Sequence, residues 1–478
     1  MILIGVDQGT TGTRTVAFDD RLEPVAEAYR RVAVTHPEPG WIAKSAAAVV
    51  TSVADTVAEV VAAVGGPQVV TAIGLDNEGE TVVAWDPGTE LPVADAVVWG
   101  CRRSQPIVDR LAVHAALVEE RSGLPLDPYF SSTKIRWLME NVADVTPATR
   151  FGTLDGYLTL RLGDGARTDP STAARTQLQA LAAPGAWDPE LCDVFGVDPA
   201  TLPEIGPSTG DLGTLCGLPL RGALVDQTAA LAGHGCLAPG TVKATYGTGI
   251  FVLQNAGTAP PHDLQGVLPV VAWEHAGATT YALDGGVFSA GTVVDWLGAA
   301  GLGLFADPAE TEALARSVPD TAGVAFLPAL AGLGAPWWRS DARGVFAGLT
   351  AGATRAHLVR AALDALCFRV RDVVDAMAAT AGRPETLRVD GGLTANAYLL
   401  QRQADVLGIP VVVARTAETT ALGAAAMAGV GAGALTLDDV AAAVGGGRIV
   451  EPAEDATAEY ERWRAFAERA AGLTTATA

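Results

Sequence analysis

Three short segments of this chain bring together hydroxyls, glycines and carboxylates in patterns suited to handling phosphate. Asp7-Gln8-Gly9-Thr10-Thr11-Gly12-Thr13 offers glycine for close backbone approach, hydroxyls that can donate to phosphate oxygens, and a carboxylate able to hold magnesium. Arg14, seven residues after Asp7, could reach a transferring phosphoryl group. The same residue types also build an ordinary turn. Tyr246-Gly247-Thr248-Gly249 repeats the Gly-Thr theme, although a β-bulge accounts for it equally well. Asp390-Gly391-Gly392 places small residues where a nucleotide's ring or ribose can lie against backbone at a helix N-terminus. A tight turn explains those glycines too, but leaves Asn396 without a task. Asp226, with Gln227 beside it, follows an apolar run and opens a helical pattern. A carboxylate there can take a hydroxyl proton, cap the helix, or do both.

The elements that must hold these segments follow from apolar patterning. Residues 2–6 read as a buried strand and 14–18 as a returning one, so the chain opens on a β-hairpin, not a strand-to-helix phosphate loop. A helix is expected over 45–64, strands over 69–75, 82–86 and 96–99, and a mostly helical stretch over 106–200. A short strand over 222–225 delivers Asp226, with a helix over 228–235. After Ala238-Pro239-Gly240 the pattern restarts, with a strand at 250–254 beyond the second Gly-Thr turn. This weak internal repeat places two hairpins across a cleft, where two sets of backbone N–H groups can surround a polyphosphate. It divides the chain into residues 1–237 and 238–478. The second half is expected to carry a long helix over 354–380, capped by Thr354 and stopped by Gly382, then a strand at 387–389 and helices at 397–407 and 418–429. Alternating strands and helices give an α/β class. Residues 473–478 are small and polar and expected to fray.

Composition removes several kinds of function. A formal net charge of −22 argues against nucleic acid, because a phosphate backbone demands a basic footprint. An anionic ligand must be held locally against that field. The five cysteines and six histidines show no metal-ligand spacing, so reduced thiols are expected rather than zinc or disulfides. The most apolar stretch, residues 421–435, is mostly Ala and Gly and too short to cross a bilayer, and no basic leader precedes residue 2. A cytoplasmic protein without membrane insertion is expected.

Segments 7–14, 77–81, 122–134, 225–233, 245–251, 332–336 and 388–396 follow the order of one family, and the chain resembles the FGGY carbohydrate kinases over nearly its whole length. The most specific motifs are DQGTT from residue 7, GLPLDPYFSSTKIRW from residue 123, GLGAPWW from residue 332 and LRVDGG from residue 387. The resemblance is strongest to the members acting on glycerol. It implies two actin-like, ribonuclease-H-like ATPase domains flanking a catalytic cleft that closes on ATP, Mg2+ and a small polyol or sugar. By it, Thr10, Thr11, Gly12 and Arg14 contact the ATP phosphates, and Thr248, Gly291, Gly392 and Asn396 complete the nucleotide site. Asp7 binds magnesium, Asp226 is the general base with Gln227 beside it, Glu80 and Tyr129 bond the polyol, and Trp99 and Phe251 press on its carbons. Read alone, Glu80, Trp99 and Tyr129 carry no signature. Homodimeric and homotetrameric assembly both stay open.

Three departures accompany the resemblance. Where glycerol-specific members have an arginine before the glutamate matching Glu80, this chain has Gly79. Losing a guanidinium removes up to five donors and opens room, and bonds from a charged donor are worth about 1.5–3 kcal/mol each. The expected product is sn-glycerol 3-phosphate, with a four-carbon polyol or a pentulose as the alternative acceptor. A non-kinase actin-like protein is a third reading, against which the Asp226-Gln227 pair argues. Asp295 stands where a nucleotide-contacting glutamine is expected. Residues 210–217 are shorter than the loop that binds fructose 1,6-bisphosphate in some relatives and lack its lysine, so no such regulation is expected; nor is the phosphorylatable histidine of other members evident.

Overall fold

Alternation along Ile2–Gln8 sends Leu3, Gly5 and Asp7 to one face and Ile4, Val6 and Gln8 to the other. In the computed structural model, which describes residues 1–473, that strand lies inside a six-stranded sheet. It pairs antiparallel with Gly12–Phe18 and parallel with Val70–Asn77, which in turn runs parallel to Leu218–Val225. The seven-stranded second sheet repeats this plan. Val242–Tyr246 pairs antiparallel with Ile250–Gly257 and parallel with Leu387–Asp390, which runs parallel to Val411–Ala414. The repeat suggested by two Gly-Thr turns is thus a repeat of whole sheets. The fraying expected at the C-terminus concerns, for residues 474–478, a stretch outside the described residues.

Helix Ala46–Ala63 covers the outer face of the first sheet. Ser45 caps it by accepting from the Ala48 N–H, and Val49, Val53, Val57 and Val60 join Ile4, Val6, Ile73 and Leu75 in one core. It is long and apolar enough to cross a membrane by length and composition, yet its valine face is spent on this core. Helix Arg355–Ala381 plays the same part for the second sheet, capped by Thr354 and ended at Gly382 as its sequence suggests.

The other face of the first sheet is built differently. Gly5, Gly74 and Gly222 stand in register across three adjacent strands. A Cβ on Gly5 would lie 1.9 Å from the Ala421 carbonyl oxygen, and one on Gly74 2.0 Å from that of Ala424. One on Gly222 would lie 2.7 Å from the Ala428 nitrogen. Helix Thr419–Gly431, from the second half of the sequence, therefore lies directly on the first sheet. It also crosses helix Asp226–Gly233 at a second glycine contact, where a Cβ on Gly423 would meet the Ala229 carbonyl at 1.7 Å.

The stretch over 106–200 is less helical than its composition suggests. Helices Gln105–Leu111, Ala115–Ser122, Ser131–Asn141 and Leu154–Leu162 are present, but residues 176–188 are irregular. Gln177 adopts φ 63° there, and Pro184-Gly185 ends any helical run. A small five-stranded sheet that includes Val82–Trp85 and Ala96–Val97 completes this lobe.

Candidate active site

The row of glycines leads straight to carboxylates. Two residues beyond Gly5 and Gly74 on the same face stand Asp7 and Asp76, paired in register at the strand ends. Burial pushes Asp7 up to about 6, and burial with the charges of Asp7 and Asp226 also pushes Asp76 well above the usual carboxylate range. Both Asp76 oxygens are buried without a hydrogen-bond partner. Two hard oxygen donors left unsatisfied beside each other suit a divalent cation. No cluster of three or more side-chain ligands closes around an ion among the described residues, so phosphate oxygens and water would complete the shell.

Asp226 is the first residue of helix Asp226–Gly233, and Val225 is its N-cap. Capping therefore does not account for Asp226; its Oδ1 accepts only the neighbouring Gln227 N–H, at 2.6 Å. Burial, then the charges of Glu80 and Asp7, push it up to about 7. The Gln227 side chain is fixed by Lys243, whose Nζ donates to its Oε1 at 2.8 Å and to Thr245 Oγ1 at 3.1 Å.

Beside Asp226 lies a polar cluster with aromatic neighbours. Trp99 Nε1 donates to Thr10 Oγ1 at 2.9 Å, so the indole is bolted to the first hairpin. Its ring meets Tyr129 edge-on at 5.5 Å. Lys134, buried, donates to the carbonyls of Tyr129 and Phe130, fixing the segment that presents the tyrosine. Burial pushes the Lys134 ammonium down to about 7. From the second sheet, Phe251 pairs with Gly286, two residues from Asp284 on the same face.

The room expected beside Gly79 is absent. A Cβ there would lie 2.5 Å from Val225 Cγ2 and 3.2 Å from Arg175 Cγ. Glu80 is not without a guanidinium either: Arg175 Nε donates to Glu80 Oε1 at 2.6 Å and its Nη1 to Asp284 Oδ2 at 3.2 Å. Glu80 is nonetheless pushed upward, because burial outweighs the nearby Arg175.

The nucleotide-side residues separate into clusters. Arg14 is engaged by Glu418 at 2.8 Å and Glu27 at 3.4 Å and lies over the Tyr29 ring, so its charge is already countered. Thr248 is exposed at the second turn, its carbonyl accepting from Ala290 N and Thr292 N. A Cβ on Gly291 would lie 2.8 Å from the Gly247 oxygen, so only glycine lets that helix start so near the turn. Asp295 is exposed on the same helix. Gly392 faces open space, whereas Gly391, at φ 93°, would bring a Cβ to 2.4 Å from the Tyr246 oxygen. Asn396 has the task its turn did not reveal: it caps helix Ala397–Leu407, accepting from Leu399 N at 3.0 Å and donating to Thr311 Oγ1 at 3.0 Å.

Sequence reasoning passed over Arg175, Asp284, Lys134, Lys243 and Asp76. Lys243 left a signal, a lysine within an otherwise apolar strand, and so did Asp76 at the end of Val70–Asn77. Arg175 left none, standing in an irregular segment far from its partners.

Comparison with known proteins agrees with this architecture. Residues 2–231 match the N-terminal domain, and residues 242–432 the C-terminal domain, of the FGGY family of carbohydrate kinases. A glycerol kinase of Citrifermentans bemidjiense is 42% identical over 94% of either chain, and one of Thermus brockianus is 43% identical over 98% of either. Among solved structures, glycerol kinase of Plasmodium falciparum with ADP superposes with a TM-score of 0.92 at 28% identity, covering 100% of this chain and 99% of that one. A xylulose kinase of Lactobacillus acidophilus shares the fold at a TM-score of 0.90 and 20% identity, covering 99% of both chains. Both domain models match in order, the curated relatives align over nearly the whole length, and the chain belongs to the FGGY family of carbohydrate kinases.

Proposed function

We propose that this protein phosphorylates glycerol with ATP, giving sn-glycerol 3-phosphate and ADP. The observation that carries the reading is the cluster that gathers Glu80, its partner Arg175 and Tyr129 about Asp226, with Trp99 anchored to the phosphate hairpin. Polar groups on one side and aromatic faces on the other suit a small neutral triol. With the space beside Gly79 filled, nothing favours a longer polyol or a pentulose over glycerol.

In this reading Asp226 accepts the proton as the hydroxyl oxygen attacks the terminal phosphorus; the new O–P bond forms while the bond to the ADP oxygen breaks. Thr10, Thr11 and Gly12 on one hairpin and Thr248 on the other hold the phosphates, and Gly291, Gly392 and Asn396 frame the nucleoside. Asp7 and Asp76 would hold Mg2+, which supplies charge neutralisation for the phosphates. The site serves a cytoplasmic enzyme, where ATP is plentiful.

An ADP-release assay across glycerol, erythritol and xylulose decides the matter. Glycerol is expected to give the highest kcat/KM, with a product that sn-glycerol-3-phosphate dehydrogenase oxidises. Negligible turnover at high millimolar glycerol, alongside brisk turnover of another acceptor, sinks it.

A further inference from the structure

Among the described residues, Arg175 is the one cation that reaches Glu80 with a guanidinium, and its backbone is well fixed. It follows helix Pro170–Ala174, whose N-cap Asp169 accepts from Ser171 N and Thr172 N. Ser171 Oγ in turn accepts from Val225 N at 2.9 Å, and Thr172 Oγ1 accepts from Asn77 Nδ2 at 3.3 Å. One short helix is thereby pinned both to the strand that ends at Asp226 and to the strand that leads to Glu80. The guanidinium then spans the cleft, holding Glu80 of the first half and Asp284 of the second, above the rings of Tyr129 and Phe130.

That arrangement leaves donors over. A guanidinium carries five N–H groups, and its bonds within the protein are to Glu80 and Asp284. The side chain is 9% exposed, and none of its nitrogens is sealed off without a partner. An alcohol hydroxyl both donates and accepts. Lying beside the bonded Glu80–Arg175 pair, it can donate to the carboxylate and accept from a guanidinium N–H that neither carboxylate uses. We propose that Arg175 is the acceptor-orienting residue of the cleft, donating an N–H to a hydroxyl oxygen of the polyol while it braces Glu80 and Asp284. The proposal rests on the function given above and names a residue that sets its specificity.

The test compares wild type, R175Q and R175K on glycerol and on the propane-1,2- and 1,3-diols, each lacking one hydroxyl, with ADP affinity measured by calorimetry. R175Q is expected to raise the glycerol KM about 10- to 100-fold, the worth of a hydrogen bond to a charged group. ADP affinity should stay within about twofold, and R175K should fall between the two. The decisive reading is discrimination. If Arg175 bonds a substrate hydroxyl, the penalty for deleting that hydroxyl should shrink several-fold in R175Q for one of the diols. Unchanged discrimination against both diols overturns the proposal, as does parallel loss of glycerol and ADP affinity. If R175Q does not fold by circular dichroism, R175K decides by the same comparison. Should wild type leave glycerol untouched, the proposed function falls, and the same comparison on whichever polyol it turns over, with the analogues of that polyol lacking single hydroxyls, still decides on Arg175.

Discussion

Asp226 titrates near neutrality because it is buried and shares its surroundings with Glu80 and Asp7. A base works only when deprotonated. The kcat should therefore rise with pH through a midpoint near 7 and level off above it, the apparent midpoint belonging to the carboxylate cluster as a whole. Removing one negative neighbour makes the charged form easier to hold, so Glu80→Gln should move that midpoint to lower pH; a midpoint that stays or rises contradicts the assignment. Asp226→Asn should cost at least about 100-fold in kcat while leaving ADP binding in place. Motifs close in sequence, such as DQGTT and Asp226-Gln227, were legible at this scale because neighbours in the chain share one turn or one strand end. Arg175 was not, since its partners lie 95 and 109 positions away and no local pattern encodes such a meeting. The same distance hid the error over Gly79, whose missing side chain is replaced in space by Val225 and Arg175.

At the scale of elements, the registered glycines decide how helix and sheet meet. Packing backbone on backbone requires every Cβ in the row to be absent. Gly74→Ala puts a methyl 2.0 Å from the Ala424 oxygen, so the helix must lift. Overpacking of this kind costs about 1–3 kcal/mol and more where backbone cannot yield. Thermal unfolding should show a clear fall in Tm for Gly74→Ala, against little change for Gly392→Ala, which faces open space; equal effects would argue that the row is not in contact. The hairpins, helix Arg355–Ala381 and helix Ala397–Leu407 were legible from period and caps. The docking of Thr419–Gly431 was not. Built almost wholly of Ala, Gly and Thr, that helix is buried nearly all round and has no polar face to say which partner it takes.

Across the whole molecule, the two halves are laced together by side chains that cross the cleft. Arg14 meets Glu418, Arg175 meets Asp284, Gln227 meets Lys243 and His234 meets Asp390. Each pair joins a residue of the first half of the sequence to one of the second. Arg14 and Arg175 are each paired with two carboxylates, so in a chain of net charge −22 they offset negative charge already at the site rather than raise a positive field there. The placement of helix Thr419–Gly431 has a further consequence, for synthesis. A ribosome finishes every strand of the first sheet long before it makes the helix that covers the glycine row, so the first half must wait, one face bare, for residues that come near the end. Chains halted before residue 419 should have a first half that protease cuts readily, and chains halted after residue 431 should have one that resists. Pulse proteolysis of the two truncations would show whether the order of translation and the order of folding part company here; equal resistance would mean the first sheet completes itself without that helix.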